Sequence, residues 1–343
     1  MATCYYRERM GMKLASTEAL TKKDILGLVR EDLAAVEARV KDLTHSAIPL
    51  IDHINKYLHG SGGKRLRPAV LLLCSKLCGF EGKLAIELAG VVELIHAATL
   101  VHDDIIDHAH VRRGRPSVNS RWGNQITVLM GDWMYMTSFQ IALQLRNLGV
   151  LDVLIEITRG MVESELIQLQ KNGRTDVSAE EQMAICRGKT ASLFSGCGRL
   201  AAMIAGAGPG AEEKLATYGL DLGITFQLTD DLLDYTSNQA VLGKPVLKDL
   251  EEGKVTLPII YLLERADRGD RDFIREVVGN GDLSDVNKEK IIQLVRAYDT
   301  LTDVRNLAER HAAKARQCLH GFPDSIYREA LLRIPELITS RTT

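Results

Sequence analysis

Apolar residues recur at three- and four-residue intervals along almost the whole chain, the period of a helix packed on one face. After Thr21, a cap candidate, Ile25, Leu28, Val29, Leu33, Val36 and Val40 form one such stripe and predict a helix. A second helix is predicted over about 48–58, broken by Gly60, Gly62 and Gly63, and an apolar third over 68–77. The long proline-free apolar stretch at about 83–108 predicts a central helix. Residues 112–123, RRGRPSVNSRWG, read as a loop from their glycines and proline. Helical patterns resume over 125–145 and 151–170. Ser178-Ala-Glu-Glu181 matches a capping box and opens a helix continuing through Gly188 to about 205. A helix over 211–235, a polar loop at 236–253, a helix over 256–265 and shorter amphipathic helices complete the chain.

No run of alternating strands, internal repeat or low-complexity linker interrupts this pattern, so the fold class is all-α. Length alone allows roughly two domains, but the missing linker favours one all-α domain over 20–343, with residues 1–20 as a poorly ordered N-terminal extension.

Composition narrows the function. Lys and Arg total 43 and Asp and Glu 45, a net charge of −2, which speaks against a protein that coats nucleic acid. At 45% hydrophobic and 26% charged, the chain is neither disordered nor collagen-like. Its six cysteines contain no CxxC pair, against a zinc ribbon or thioredoxin-type site, and Cys74 and Cys78 read as core residues of one helical face. The N-terminus has no apolar signal region, and runs such as 69–74 are far shorter than the ~18 residues of a membrane span. A soluble, cytoplasmic protein with no membrane span is expected.

Chemistry concentrates in a few places. In DDIID, Asp103 and Asp107 lie about 40° apart on a helical wheel, with Asp104 to one side. DDLLD repeats the spacing at Asp230, Asp231 and Asp234, again after an apolar helical segment. One such cluster is as readily a solvated acidic face. Two helices that faced each other would line one cavity with six carboxylates, a hard oxygen set suited to Mg²⁺ and substrate phosphate. GSGGKRLRP at 60–68 offers glycines with Lys64, Arg65 and Arg67, but Arg65 stands where a Walker A motif needs Ser or Thr. Arg112, Arg113, Lys189, Thr190, Lys244, Lys248 and Lys254 add candidates for holding phosphate, against the plain alternative of surface lysines. Gln227 shares a face with Asp230 and can serve either a phosphate or a helix–helix hydrogen bond. His96 lies close to the Asp103 face, where it can reach a phosphate or sit satisfied in the core. A His–Asp metal site at 102–104 is set aside because no second His–Asp pair accompanies it.

Together, GGKRLRP (62–68), DDIIDHAHVRRGRP (103–116), GKTASLF (188–194), FQLTDDLLDYTSN (226–238) and GKPVLKDLEEGKVTLP (243–258) resemble, in order, the motifs of the trans-isoprenyl diphosphate synthase, or polyprenyl synthetase, family. The resemblance spans about residues 20–340. It implies helices around a deep central cavity, a homodimer, and prenyl transfer from an allylic diphosphate to isopentenyl diphosphate with Mg²⁺, three ions when substrate is bound. It implies metal ligands Asp103, Asp107, Asp230 and Asp234, with Asp104, Asp231 and Lys189 in the catalytic set. Lys64, Arg67, His96 and Arg113 correspond to the isopentenyl diphosphate grip, and Arg112, Lys189, Thr190, Gln227, Lys244 and Lys254 to the allylic diphosphate contacts. The small Ala98 and Thr99, five and four residues before Asp103, stand where short-chain members carry a bulky aromatic residue. A long-chain product of the octaprenyl, heptaprenyl or solanesyl type is therefore expected, with Met134, Tyr135, Met136 and Phe139 of the facing helix as the floor. The C-terminal SRTT departs from the more basic tail of some members in holding only Arg341. The alternatives are a short-chain synthase, a class I terpene cyclase, a partner-dependent subunit, or a helical scaffold that binds no diphosphate.

Overall fold

The computed structural model describes residues 20–60, 63, 65–236 and 247–342. The expected N-terminal extension, Lys64 and Lys244 lie outside them. In chain order the helices are α1 (Lys22–Gly27), α2 (Arg30–Leu43), α3 (Pro49–His59), α4 (Leu66–Leu77), α5 (Lys83–Ile106), α6 (Val118–Trp122), α7 (Asn124–Gln144), α8 (Leu148–Lys171) and α9 (Ala179–Cys186). A π-helical turn, Arg187–Ala191, leads into α10 (Ser192–Ile204). Then come α11 (Pro209–Thr236), α12 (Lys248–Glu251), α13 (Leu257–Arg265), α14 (Arg268–Asn280), α15 (Asp285–Ala297), α16 (Thr300–Cys318) and α17 (Ile326–Thr339). The all-α expectation holds.

Three elements differ from the sequence pattern. The first stripe makes two helices, because the Thr21–Asp24 capping box starts α1 and Val29 leaves helical geometry before α2. The 112–123 loop contains a hairpin, β1 (Val111–Arg112) with β2 (Arg115–Pro116), and then α6, capped by Ser117. The helix opened by the Ser178 capping box widens at 187–191 into the π turn instead of continuing as α-helix.

Apolar burial builds two clusters joined by α11. Its Leu215, Tyr218 and Leu222 pack with α4, α5 and α10, while Ile224, Leu228 and Leu232 pack with α13 to α16. Helices α10 and α11 meet backbone to backbone: a Cβ at Gly219 would lie 2.1 Å from the Phe194 carbonyl oxygen, and one at Gly223 2.5 Å from the Ala191 Cα. Among the described residues α5 alone has the length and apolarity of a membrane-crossing helix, a property missed by counting consecutive apolar residues. Its Leu88, Val91, Val92, Ile95 and Ala98 are buried against neighbouring helices.

Candidate active site

Both acidic segments end helices. Asp103 and Asp104 close α5, whose C-cap is Asp107, and Asp230, Asp231 and Asp234 lie in the last two turns of α11. The free carbonyls of a helix C-terminus carry partial negative charge, so carboxylates there are disfavoured unless cations answer them. Asp104 is buried and takes the Arg112 guanidinium. Asp107 Oδ1 accepts from Lys254 Nζ at 2.8 Å, and the same ammonium donates to Glu252 at 2.6 Å. Asp234 accepts the backbone N–H groups of Lys248 and Asp249, at 3.0 and 3.1 Å. Arg341 Nη1 reaches to 3.6 Å from Asp230, so even the sparse tail touches the second segment.

Burial divides the six carboxylates. Asp104 and Asp231, only 2% and 3% exposed, turn into the packing because each sits about 100° around its helix from the preceding Asp. Asp103, Asp107, Asp230 and Asp234 stay half-buried. Burial, with Glu165 and Asp107 adding to it, pushes the Asp103 carboxyl up to about 6 against the pull of Lys189. Burial and Asp234 push Asp249 up to about 7 against Lys254. Burial also raises Asp231 and Asp234. Burial works against the Lys254 charge, but Asp107 and Glu252 outweigh it and hold its pKa high.

The π turn aims two side chains. A Cβ at Gly188 would lie 1.7 Å from Ser164 Oγ, so glycine lets this turn seat on α8. Lys189 then donates to Gln168 at 2.8 Å and lies 2.5 Å from Glu165. On the other side, Thr190 donates to Gln227 Oε1 at 2.7 Å, and Gln227 Nε2 donates to Asp231 at 2.8 Å. Gln227 is thus a helix–helix link with both amide ends engaged. Glu165, Gln168 and Asp249 escaped the sequence analysis. Only the 165/168 spacing on one helical face marks the first two, and any solvated helix shows that.

A cationic cluster gathers around His96 of α5. Arg67 Nη1 is 3.1 Å from His96 Nε2, its guanidinium stands 4.6 Å from the Phe194 ring centre, and its buried Nε has no partner. Burial, followed by Arg67, Arg113, Arg112 and Arg65, depresses the His96 pKa well below 6.5. The imidazole is therefore neutral, and Nε2 accepts from Arg67. Arg113 lies over Gly63: a Cβ there would be 3.2 Å from its Nη1. Arg65 pairs with Glu93 and, at 3.1 Å, with Glu37. A cleft of about 390 Å³ opens here, with Asp104, His96, Arg112 and Arg113 at its polar end and Leu94, Ala97, Val101 and Met134 along its apolar wall.

The wall residues divide. Thr99 is half-buried on the Asp103 side, whereas Ala98 is fully buried in the core. Met134 is buried. Burial and then Asp103 raise the Tyr135 hydroxyl to about 12. Met136, expected with them, points outward at 64% exposure. His102 faces α7, its Nε2 3.1 Å from the Val128 carbonyl oxygen, which removes the His–Asp metal reading.

Among the described residues no three His, Cys, Asp or Glu side chains converge as a closed metal site. The donors nevertheless fit Mg²⁺ held partly through substrate phosphates: they are hard oxygens at negative helix ends, and Glu165 Oε1 is buried without a partner.

A family model described as polyprenyl synthetase matches residues 48–295. The octaprenyl diphosphate synthase of Escherichia coli K12 is 35% identical over 92% of this chain and 97% of its own. A decaprenyl diphosphate synthase structure from Rhodobacter capsulatus superposes with a TM-score of 0.90 at 34% identity, over 94% of this chain and 100% of its own. A polyprenyl synthase from Caulobacter crescentus CB15, solved with calcium and isoprenyl diphosphate, gives 0.90 at 31% identity, over 96% and 100%.

Proposed function

The chain belongs to the polyprenyl synthetase family and is a prenyltransferase, and we propose that it joins isopentenyl diphosphate head-to-tail, in trans, to an allylic diphosphate, giving a long-chain polyprenyl diphosphate. The observation that carries this reading is the pairing of two sites: acidic helix ends, one of them holding the Lys254–Asp107 pair, and an Arg67–His96–Arg113 cluster of cations. The first suits a diphosphate brought with cations, the second a diphosphate gripped by cations alone. A terpene cyclase has no use for the second.

In this reading Asp103, Asp107, Asp230 and Asp234 hold Mg²⁺, which when bound supplies the positive charge that stabilises the departing diphosphate. Lys189 and Lys254 hold the allylic diphosphate, with Arg112 beside them and Thr190 and Gln227 as the packed support beneath. Lys64 and Lys244 join the two grips by resemblance. Arg67 and Arg113 hold isopentenyl diphosphate, and neutral His96 keeps Arg67 aimed. The apolar walls shield the allylic cation from water until the second substrate's double bond attacks. Among the described residues no side chain stands out as the base that takes the released proton, which leaves that task to the departing diphosphate. The small Thr99, on the Asp103 side of α5, leaves the wall open for a long product.

A homodimer and a cytoplasmic location belong to the same proposal. Support for the first is the row of exposed apolar residues on α7 and α8, including Leu129, Met136, Ile155, Val162 and Leu166. For the second it is that the described cysteines are free thiols. The test is substrate dependence of the purified chain. Diphosphate release is expected only with isopentenyl diphosphate, allylic diphosphate and Mg²⁺ together. Release from the allylic substrate alone would point to a cyclase, and none in any mixture to a partner-dependent subunit.

A further inference from the structure

Arg113 sits at the tip of the β1–β2 hairpin, and something must hold that hairpin still. It is only two residue pairs long, Val111 opposite Pro116 and Arg112 opposite Arg115. Its turn residues, Arg113 and Gly114, both have positive φ, 53° and 74°, the type I′ arrangement. So short a ribbon is not stable by itself.

The support comes from α3. Tyr57 donates its hydroxyl to the Pro116 carbonyl oxygen at 2.7 Å. The Arg115 guanidinium stands 4.3 Å from the Tyr57 ring centre, and Arg121 of α6 stands 4.7 Å from it. Trp122 meets the same ring edge-on at 5.1 Å. One aromatic ring therefore binds strand β2 and α6 to the last turn of α3. Gly60, three residues later, begins the loop that leads to Arg65 and Arg67, and a Cβ there would press on Arg115 at 3.1 Å.

We infer that Tyr57 is a positioning residue for the second substrate: it sets the hairpin against Gly60 and Gly63 so that Arg113 and Arg67 present one grip for isopentenyl diphosphate. The inference rests on the proposed function, and Tyr57 itself touches neither substrate.

The test measures steady-state kinetics of Tyr57→Phe and Tyr57→Leu in the full-length chain, each substrate varied in turn, with melting temperatures alongside. Tyr57→Phe keeps the ring and loses the bond to Pro116. Its KM for isopentenyl diphosphate is expected to rise about fivefold, the net value of one hydrogen bond. Tyr57→Leu also loses the guanidinium contacts, and its KM is expected to rise about thirtyfold. Arg112 of the same hairpin is held independently by buried Asp104, so saturated kcat and the KM for the allylic substrate are expected to stay unchanged in both. Ile54→Ala, one turn back and 1% exposed, is the control: it lowers the melting temperature and leaves the KM for isopentenyl diphosphate alone. An unmoved KM in the Tyr57 variants, or an equal rise in the control, overturns the inference. A wild-type chain that consumes no isopentenyl diphosphate overturns the proposed function first, and this inference with it.

Discussion

Lys254 Nζ lies 2.8 Å from Asp107 Oδ1, across 147 residues of sequence, and so ties the segment after the second acidic motif to the first. Lys254→Gln removes that charge from between the two motifs. By the value of a charge-assisted hydrogen bond, the KM for the allylic diphosphate is expected to rise about ten- to hundredfold. The KM for isopentenyl diphosphate, assigned to the Arg67–Arg113 grip, is expected to hold. Initial-rate kinetics with each substrate varied would check the split, and equal rises would contradict it.

Burial disfavours the charge of Asp103, and the proposed function needs that charge for turnover. Asp103→Asn is expected to lower kcat by about 10²–10³-fold, as loss of a group that stabilises transition-state charge does. In metal-free buffer the same variant should melt higher, since a carboxylate leaves a negative helix end, worth about 0.3–1 kcal/mol. Kinetics and calorimetry on one preparation check this; loss of both activity and stability would mark Asp103 as merely structural.

His96 gives a pH dependence of known sign. Its pKa in the folded chain lies well below the ordinary 6.5, through burial and then the neighbouring arginines. Below about pH 6.5 the unfolded chain therefore binds more protons than the folded one, and stability falls as pH drops toward the folded-state value. Half-buried His59 is depressed the same way, by burial, Arg65 and Lys41. His96→Gln is expected to flatten part of this acid limb in urea titrations between about pH 4 and 7. An unchanged slope would mean that the imidazole is not held neutral.

Product length tests the wall of α5. Thr99→Phe places a ring on the Asp103 side and is expected to shorten the product, with modest loss of stability. Ala98→Phe is expected to shorten it too, at a further cost of about 1–3 kcal/mol, because Ala98 is fully buried in the core. Mass spectrometry of the products with thermal melts separates the two effects, and unchanged products in both would remove this wall from length control.

Much of this was legible in the residues. The two Asp-rich segments are periodic and local, so their places at helix ends follow from hydrophobic pattern alone, as does the Ser178 capping box. What escaped depends on packing. Asp104 and Asp231 belong to the same motifs as their neighbours, yet pack inward because the helix turns them away. Glu165 meets Lys189 through the π turn, whose seat on α8 needs the glycine at 188 over Ser164. Tyr57 acts through a hairpin 59 residues away in sequence. None of these contacts has a period that a single sequence displays.

The most direct test of the central claim is the mass of the product that the purified chain makes from farnesyl diphosphate, excess isopentenyl diphosphate and Mg²⁺. The account predicts a ladder of five-carbon additions ending in one dominant all-trans product longer than geranylgeranyl diphosphate. A product that stops at or before geranylgeranyl diphosphate, or a cyclised hydrocarbon, would contradict it.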